Sequence, residues 1–217
     1  MYIGHFAVAF AAKRVAPKAS LGVLLAAAMF IDLIWPVFLL LGWERVRIDP
    51  GNTAFTPLDF VSYPYSHSLA MTLLWALVFG YGYEANAQYR TGALVSGALV
   101  ISHWLLDAIT HRPDLPLFPG SAVMIGAGMW NSVQATLLVE SAMYAAGVAL
   151  YAGMTQPRDG VGRYAFWAFV ALHAVLYLGA AFGPPPPNET ALAWVSLATW
   201  LFPLWAAWFD QHRDSRE

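Results

Sequence analysis

The chain has 217 residues, of which 59% are hydrophobic and only 11% are charged. Its apolar stretches exceed what the core of one soluble domain needs, so the composition predicts an integral membrane protein. The formal net charge of −2 provides no basic surface for nucleic acid, so we expect no nucleic-acid partner. Cysteine is absent from the sequence, which leaves nitrogen and oxygen donors for any bound metal.

Apolar segments recur along the whole chain and predict its fold class. The first, Tyr2–Ala12, would measure only about 16 Å as a helix, so we expect a half-span or a re-entrant helix. The later segments can each cross a bilayer: Ser20–Leu41, His67–Tyr83, Gly92–Ile109, Met129–Met154, Tyr164–Phe182 and Ala191–Phe209. The prediction is an all-α fold, a polytopic transmembrane helical bundle with six full spans, in one domain over residues 1–217. No basic region precedes the first apolar segment, so we expect no cleaved signal peptide.

The basic residues orient this predicted bundle, because short cytoplasmic loops carry an excess of Lys and Arg. One predicted side carries Lys13, Arg14, Lys18, Arg90, Arg158, Arg163, Arg213 and Arg216. The opposite side carries Arg45, Arg47 and Arg112, so we interpret it as extracytoplasmic. The carboxyl terminus is then predicted to be cytoplasmic.

The most informative motif lies in the predicted span Gly92–Ile109 and just beyond it. His103, Asp107 and His111 follow one another at four-residue steps, which place all three on one face of a helix. Two imidazoles and a carboxylate on one face can bind a divalent cation. Ionisable groups are costly in hydrocarbon, so this motif favours a functional site.

Other ionisable residues fall at the same predicted depth. Asp32 lies in the outer half of the first full span, and His67 lies at the outer mouth of the second. His5 joins this layer if Tyr2–Ala12 enters from the outside and ends at the cytoplasmic Lys13. These groups come from different segments of the chain, so their common depth supports a site assembled by several helices.

The chemistry of these side chains predicts one divalent metal ion near the outer face. Neutral imidazoles with carboxylates favour zinc, which can activate water for ester or amide hydrolysis without a cysteine. The predicted metal ligands are His5, Asp32, His67, His103, Asp107 and His111. Asp32 or Asp114 is the predicted catalytic group that activates water. Ser66 and Ser68 flank His67 and could orient it or bind substrate.

Two alternative interpretations remain open. The polar groups could form a hydrogen-bonded network that only joins helices, as in a noncatalytic membrane scaffold. They could also line the path of an ion- or proton-coupled transporter through Asp32, Glu140 and His173. The depth of the ionisable groups in the membrane distinguishes hydrolysis from transport. A hydrolytic site gathers these groups in one layer, whereas a transport path distributes them across the bilayer.

Several short elements, in order along the chain, resemble a known family. They are Gly4-His5, Asp32, Ser66-His67-Ser68 and the stretch Ser102, His103, Leu106, Asp107 and Thr110. The pattern resembles a family of inner-membrane metal-dependent hydrolases, also described as LexA-binding and inner membrane-associated. The resemblance implies a bacterial or archaeal inner-membrane hydrolase whose metal site lies within residues 1–120.

One departure from that family bears on the number of metal ions. The family's acidic motif carries a second Asp and a following His, where this chain has Ile34 and Trp35. The resemblance therefore implies a single ion. A site in the outer leaflet favours substrates that partition there, so we expect a membrane lipid or a lipid-linked or phosphoester substrate.

Overall fold

A short buried helix, α1 (Ile3–Ala12), lies at the centre of the computed structural model, which describes residues 1–216. Helix α1 is apolar on all sides, and it packs against α2 (Leu21–Ala28), α6 (Arg90–Thr110) and α7 (Val133–Met154). A helix that is hydrophobic all round is stable when every face is covered. The segment predicted as a half-span or re-entrant helix is thus an internal element of the bundle.

The remaining elements surround this centre, and the architecture is mostly helical. The other helices are α3 (Phe30–Leu40), α4 (Pro64–His67), α5 (Leu69–Ala87), α8 (Phe166–Phe182), α9 (Glu189–Leu197) and α10 (Leu201–Asp210). The short strands pair as antiparallel hairpins, β1 (Arg45–Ile48) with β2 (Leu58–Ser62) and β3 (Leu115–Pro116) with β4 (Met124–Ile125), and as the antiparallel pair β5 (Thr155–Pro157) and β6 (Arg213–Ser215). The helical class is confirmed, and the strands lie in the connections between helices, except β6, which follows the last helix.

Four helical stretches between residues 1 and 216 are long and apolar enough to cross a membrane. They are Arg90–Thr110, Val133–Met154, Val161–Phe182 and Glu189–Asp210. Helices α2 and α3 meet that criterion as a pair bent by 56°, so they add a fifth if they form one broken span. Helix α5 is long enough to cross a membrane but is less apolar than these helices, because Glu84 and other polar residues near its end lower its mean hydropathy. The six full spans predicted from the sequence are therefore not confirmed.

The two ends of the bundle differ in their loops. Lys18 lies 5.9 Å from the Tyr89 ring, and the pairing of β5 with β6 brings the chain after α7 to the carboxyl-terminal residues. Asp210, at the end of α10, accepts from Lys13 and from the first N–H of α2, so these basic connections lie at one end of the bundle. The β1–β2 hairpin, α4 and the segment after α6 meet at the opposite end.

Both ends of α1 are held by acidic side chains from other helices. At its start, Glu140 of α7 accepts hydrogen bonds from the backbone N–H groups of Tyr2 (2.8 Å) and Gly4 (3.3 Å). Beyond its end, Lys13 donates to Asp210 of α10 at 2.7 Å. Asp210 also accepts from the Tyr151 hydroxyl and from the first N–H of α2. A helix of ten residues is fixed in position by these contacts.

Replacing Asp210 with Ala should destabilise the protein by about 3 kcal/mol, because the nearly buried charge of Lys13 would lose its carboxylate partner and keep only the carbonyl of Ala19. Thermal unfolding in detergent measures the change. Asp214→Ala is the control, since the Asp214 side chain is 54% exposed and lies 3.8 Å from Arg158. Equal melting temperatures for the two variants would contradict the structural role of Asp210.

Helix α1 approaches α7 most closely at Gly147. A Cβ atom at Gly147 would lie 2.5 Å from the carbonyl oxygen of Ala7 and 2.7 Å from its Cα. Both are backbone atoms of a helix that is held at its two ends, so neither can move aside easily. The absence of a side chain at residue 147 therefore sets the separation of the two helices.

Gly147→Ala should lower stability by about 2 kcal/mol, because the added methyl group forces α1 away from α7. Gly153→Ala in the same helix is a matched control, since a Cβ there meets no atom within 4 Å. That control should be neutral or gain up to about 1 kcal/mol from helix propensity. Equal melting temperatures of the two variants in detergent would show that the close approach of Gly147 to Ala7 does not affect stability.

Candidate metal centre

Side chains from four helices meet in one cluster near the β1–β2 hairpin. Its members are His5 of α1, Asp32 of α3, His67 of α4, and His103 and Asp107 of α6. They form two overlapping groups of three, each with donor atoms within 4.8 Å of one another, that could hold a metal ion. The groups are His5, His103 and Asp107, and Asp32, His67 and His103. His103 belongs to both.

Four side chains of this cluster offer donor atoms at the spacing of metal ligands, Asp32 through both of its oxygens. His67 Nε2 lies 3.3 Å from Asp32 Oδ1 and 3.9 Å from Asp107 Oδ2. His103 Nε2 lies 3.5 Å from Asp32 Oδ2 and 3.2 Å from Asp107 Oδ2. Tetrahedral ligands about 2.0–2.1 Å from zinc are about 3.4 Å apart, so each of these carboxylate–imidazole distances is close to that between two ligands of one ion.

The orientation of His103 favours metal binding through Nε2. Its Nδ1 lies 2.6 Å from the carbonyl oxygen of Ala28, which can only accept, so Nδ1 carries the proton. Ala28 is the last residue of α2, where a carbonyl lacks a partner within the helix. In the neutral ring, the lone pair of Nε2 then faces Asp32 and Asp107. A backbone carbonyl that fixes the tautomer is a common support of histidine ligands.

The charges of the cluster also fit a cation. Two carboxylates, Asp32 and Asp107, converge on Nε2 of His103 in an apolar bundle. Negative charge concentrated in such a place is unfavourable unless a proton or a cation offsets it. Asp32 lies in the first turn of α3, where the helix dipole favours a carboxylate. Its side chain is 32% exposed, which makes it the cluster's most open carboxylate.

His5 contacts the other oxygen of Asp107. Its Nε2 lies 3.1 Å from Asp107 Oδ1, and the amino group of Met1 donates to the same oxygen. The His5 ring lies flat against the His103 ring, with centroids 3.6 Å apart and planes 9° from parallel. His5 thus reaches the cluster as the sequence predicted, in a position to orient Asp107 or to bind an ion through Nε2.

His111 lies next to the cluster, in contact with Asp107 on one side and Asp114 on the other. Its Nε2 is 4.0 Å from Asp107 Oδ1, while its Nδ1 is 3.0 Å from Asp114 Oδ1. Asp114 accepts a hydrogen bond of 2.6 Å from the Tyr63 hydroxyl, and Arg112 lies 3.4 Å from its other oxygen. Burial lowers the pKa of His111, which favours the neutral ring. Burial, followed by the charge of Asp114, holds the pKa of Tyr63 well above its usual range, so Tyr63 remains a donor.

A cavity of about 230 Å³ opens beside the cluster. Asp32, His67, Asp107 and His111 line one part of it. The other walls are mostly apolar and include Met29, Trp35, Phe55, Leu58, Phe60 and Trp130. A largely apolar pocket with a few converging polar groups is typical of a small-molecule site.

The structure brings together most of the residues singled out from the sequence. His5, Asp32, His67, His103 and Asp107 share the cluster, whereas His111 is adjacent and Asp114 lies on the far side of His111. Ser68 caps α5 by accepting from the N–H of Met71 at 3.4 Å. Sequence reasoning missed Glu44, which is buried beside Ser66. The position of Glu44 in the connection between α3 and β1, next to the charged Arg45, gave no signal of burial.

The fold and the cluster define a helical protein with membrane-type spans and a buried histidine–carboxylate site. Comparison with protein-family models, curated proteins and solved structures finds no match to this chain. The resemblance to inner-membrane metal-dependent hydrolases, which rests on short motifs, therefore stays a prediction.

The purified protein should bind a divalent metal ion, and His103→Ala should weaken binding by more than about 100-fold, because Nε2 of His103 belongs to both donor groups. Metal analysis and competition with a chelator measure the change. His173→Ala is the control, since it removes a buried imidazole that packs among Phe6, Phe169 and Phe202. Negligible metal in the parent protein, or equal loss in both variants, would count against the centre.

Proposed function

We propose that this protein is a membrane-embedded, metal-dependent hydrolase with one zinc ion held by Asp32, His67, His103 and Asp107. The single observation that carries the proposal is the spacing of their donor atoms, between 3.2 and 3.9 Å for the four carboxylate–imidazole pairs. Two imidazoles and two carboxylates suit zinc, although carboxylate-rich sites also bind manganese or iron.

The chemistry divides between the ion and the protein. A bound zinc ion lowers the pKa of water and polarises a phosphoryl or acyl oxygen. Asp32 is the carboxylate with the greatest access to the cavity, so it can also receive a proton from the attacking water. His5 and the Met1 amino group hold Asp107 in place through Oδ1, which leaves Oδ2 directed at His103.

His111 and Asp114 form a pair that could carry the proton taken from the attacking water onward to the leaving group. His111 lines the cavity, and the hydrogen bond from Nδ1 to Asp114 directs its other nitrogen, Nε2, towards Asp107. Tyr63 and Arg112 hold the Asp114 carboxylate in that orientation. The role of Asp114 in this scheme is to orient His111, and the proton moves at His111 Nε2.

The walls of the cavity favour an apolar substrate. The rings of Trp35, Phe60 and Trp130 and the side chains of Met29 and Leu58 would accept hydrocarbon next to the reacting polar group. A membrane lipid or a lipid-linked small molecule with an ester or phosphoester bond fits this combination. The cluster lies towards the end of the bundle that carries the β1–β2 hairpin, which we assign to the extracytoplasmic side.

The gathering of basic loops at the opposite end supports a cytoplasmic carboxyl terminus, in agreement with the excess of Lys and Arg on cytoplasmic loops. We assign the protein to the inner membrane of a bacterium or archaeon on this basis and on the motif resemblance. Transport has less support. Glu140 bonds the start of α1, and His173 bonds the carbonyl of Phe169 among aromatic rings, so neither continues a polar path from Asp32.

Hydrolysis can be tested with zinc-loaded protein in detergent micelles. The probes are p-nitrophenyl caprylate, bis(p-nitrophenyl) phosphate and phosphatidic acid. We expect zinc-dependent turnover of at least one probe, and Asp32→Asn should slow it by about 100-fold or more, because it removes a ligand and a base. Asp49→Asn, in the exposed turn of the outer hairpin, should leave the rate unchanged.

Turnover that survives Asp32→Asn, or that does not depend on the metal, would contradict the proposed centre. Failure of the zinc-loaded protein to hydrolyse any of the probes would count against the hydrolase assignment.

A further inference from the structure

Glu44 is a buried carboxylate outside the donor cluster. It is 1% exposed, although it follows three exposed residues in the connection between α3 and β1. Its Oε1 accepts from the backbone N–H groups of Tyr65 at 2.8 Å and Ser66 at 2.7 Å. Its Oε2 accepts from the Ser66 hydroxyl at 2.6 Å. A buried carboxylate with this many short hydrogen bonds is firmly held.

The same hydroxyl connects Glu44 to the cluster. Ser66 Oγ lies 2.6 Å from His67 Nδ1. Because the hydroxyl proton points at Glu44, the oxygen of Ser66 offers a lone pair to His67, and Nδ1 must donate. The proton of a neutral His67 ring is then on Nδ1. Its Nε2 carries a lone pair and lies 3.3 Å from Asp32 Oδ1.

We propose that Glu44 and Ser66 are positioning residues that keep the proton of His67 on Nδ1 and Nε2 free to bind the metal ion. The inference rests on the proposed metal centre. Neither residue belongs to the two groups of metal donors, so both act through His67. The arrangement corresponds to that of His103, where a backbone carbonyl holds Nδ1–H. The two histidine ligands would thus be oriented by different means, a carbonyl for one and a serine–glutamate relay for the other.

Glu44→Gln separates this role from a purely structural one. The oxygen of the new amide can still accept from the N–H groups of Tyr65 and Ser66, which preserves the support of α4. Its NH2 group then occupies the place of Oε2 and donates to Ser66 Oγ. The Ser66 hydroxyl proton must turn to His67 Nδ1, which forces the ring proton onto Nε2 and blocks it as a ligand.

The experiment compares zinc affinity, by chelator competition, with the tautomer of His67, by nitrogen-15 NMR of metal-free protein at a pH where the ring is neutral. We expect Glu44→Gln and Ser66→Ala to weaken zinc binding by about 10- to 100-fold. Ser66→Thr keeps the hydroxyl and should therefore retain most of the zinc affinity of the parent protein. Glu44→Gln should also move the His67 signal from the Nδ1–H form to the Nε2–H form.

Glu189→Gln is the matched control, because Glu189 likewise accepts from a backbone N–H, that of Ile48, but far from His67 in sequence and outside the cluster. Parent-like zinc affinity in both Glu44→Gln and Ser66→Ala would overturn the relay and leave the metal centre intact. An unchanged Nδ1–H signal in Glu44→Gln would also overturn it. Absence of zinc from the parent protein would instead overturn the proposed function, and the NMR result would still test the relay.

Discussion

The cost of placing carboxylates and imidazoles inside an apolar bundle is the constraint that governs this structure. Asp32 and Asp107 cannot remain charged there without partners, and the partners come from α1, α4 and α6. The helices that bring them are consequently fixed relative to one another around the cluster. Apolar packing alone would fix these positions less precisely, because it tolerates small shifts between helices. Polar contacts of about 3 Å are lost when the helices shift.

The helical spacing in the sequence predicted much of the cluster. The four-residue step from His103 to Asp107 correctly places both side chains at one site, and the basic loops correctly group with one end of the bundle. The step to His111 is less informative, because α6 ends at Thr110 and the backbone of His111 is extended. Its Nδ1 therefore meets Asp114, which itself stands away from the cluster.

Other features depend on contacts that no local pattern records. Six full spans are not confirmed, and hydropathy along the sequence does not show that α2 and α3 meet at an angle of 56°. The central position of α1 depends on the close approach of Gly147 to Ala7 and on the bonds from Glu140. The burial of Glu44 depends on the folding of α4 over it, and the sequence around Glu44 has no periodicity that would predict this.

The break between α2 and α3 has a consequence for the mobility of the histidine ring that it supports. In an unbroken helix, the Ala28 oxygen would accept from the N–H of residue 32, four positions onward. The bend makes this oxygen available to His103. If the two helices became one straight helix, the Ala28 oxygen would accept from the N–H of residue 32 and His103 would lose this hydrogen bond. The Asp32 carboxylate would also move away from the His103 ring. The bend between α2 and α3 must therefore stay rigid if the His103 ring and the Asp32 carboxylate are to keep their relative positions.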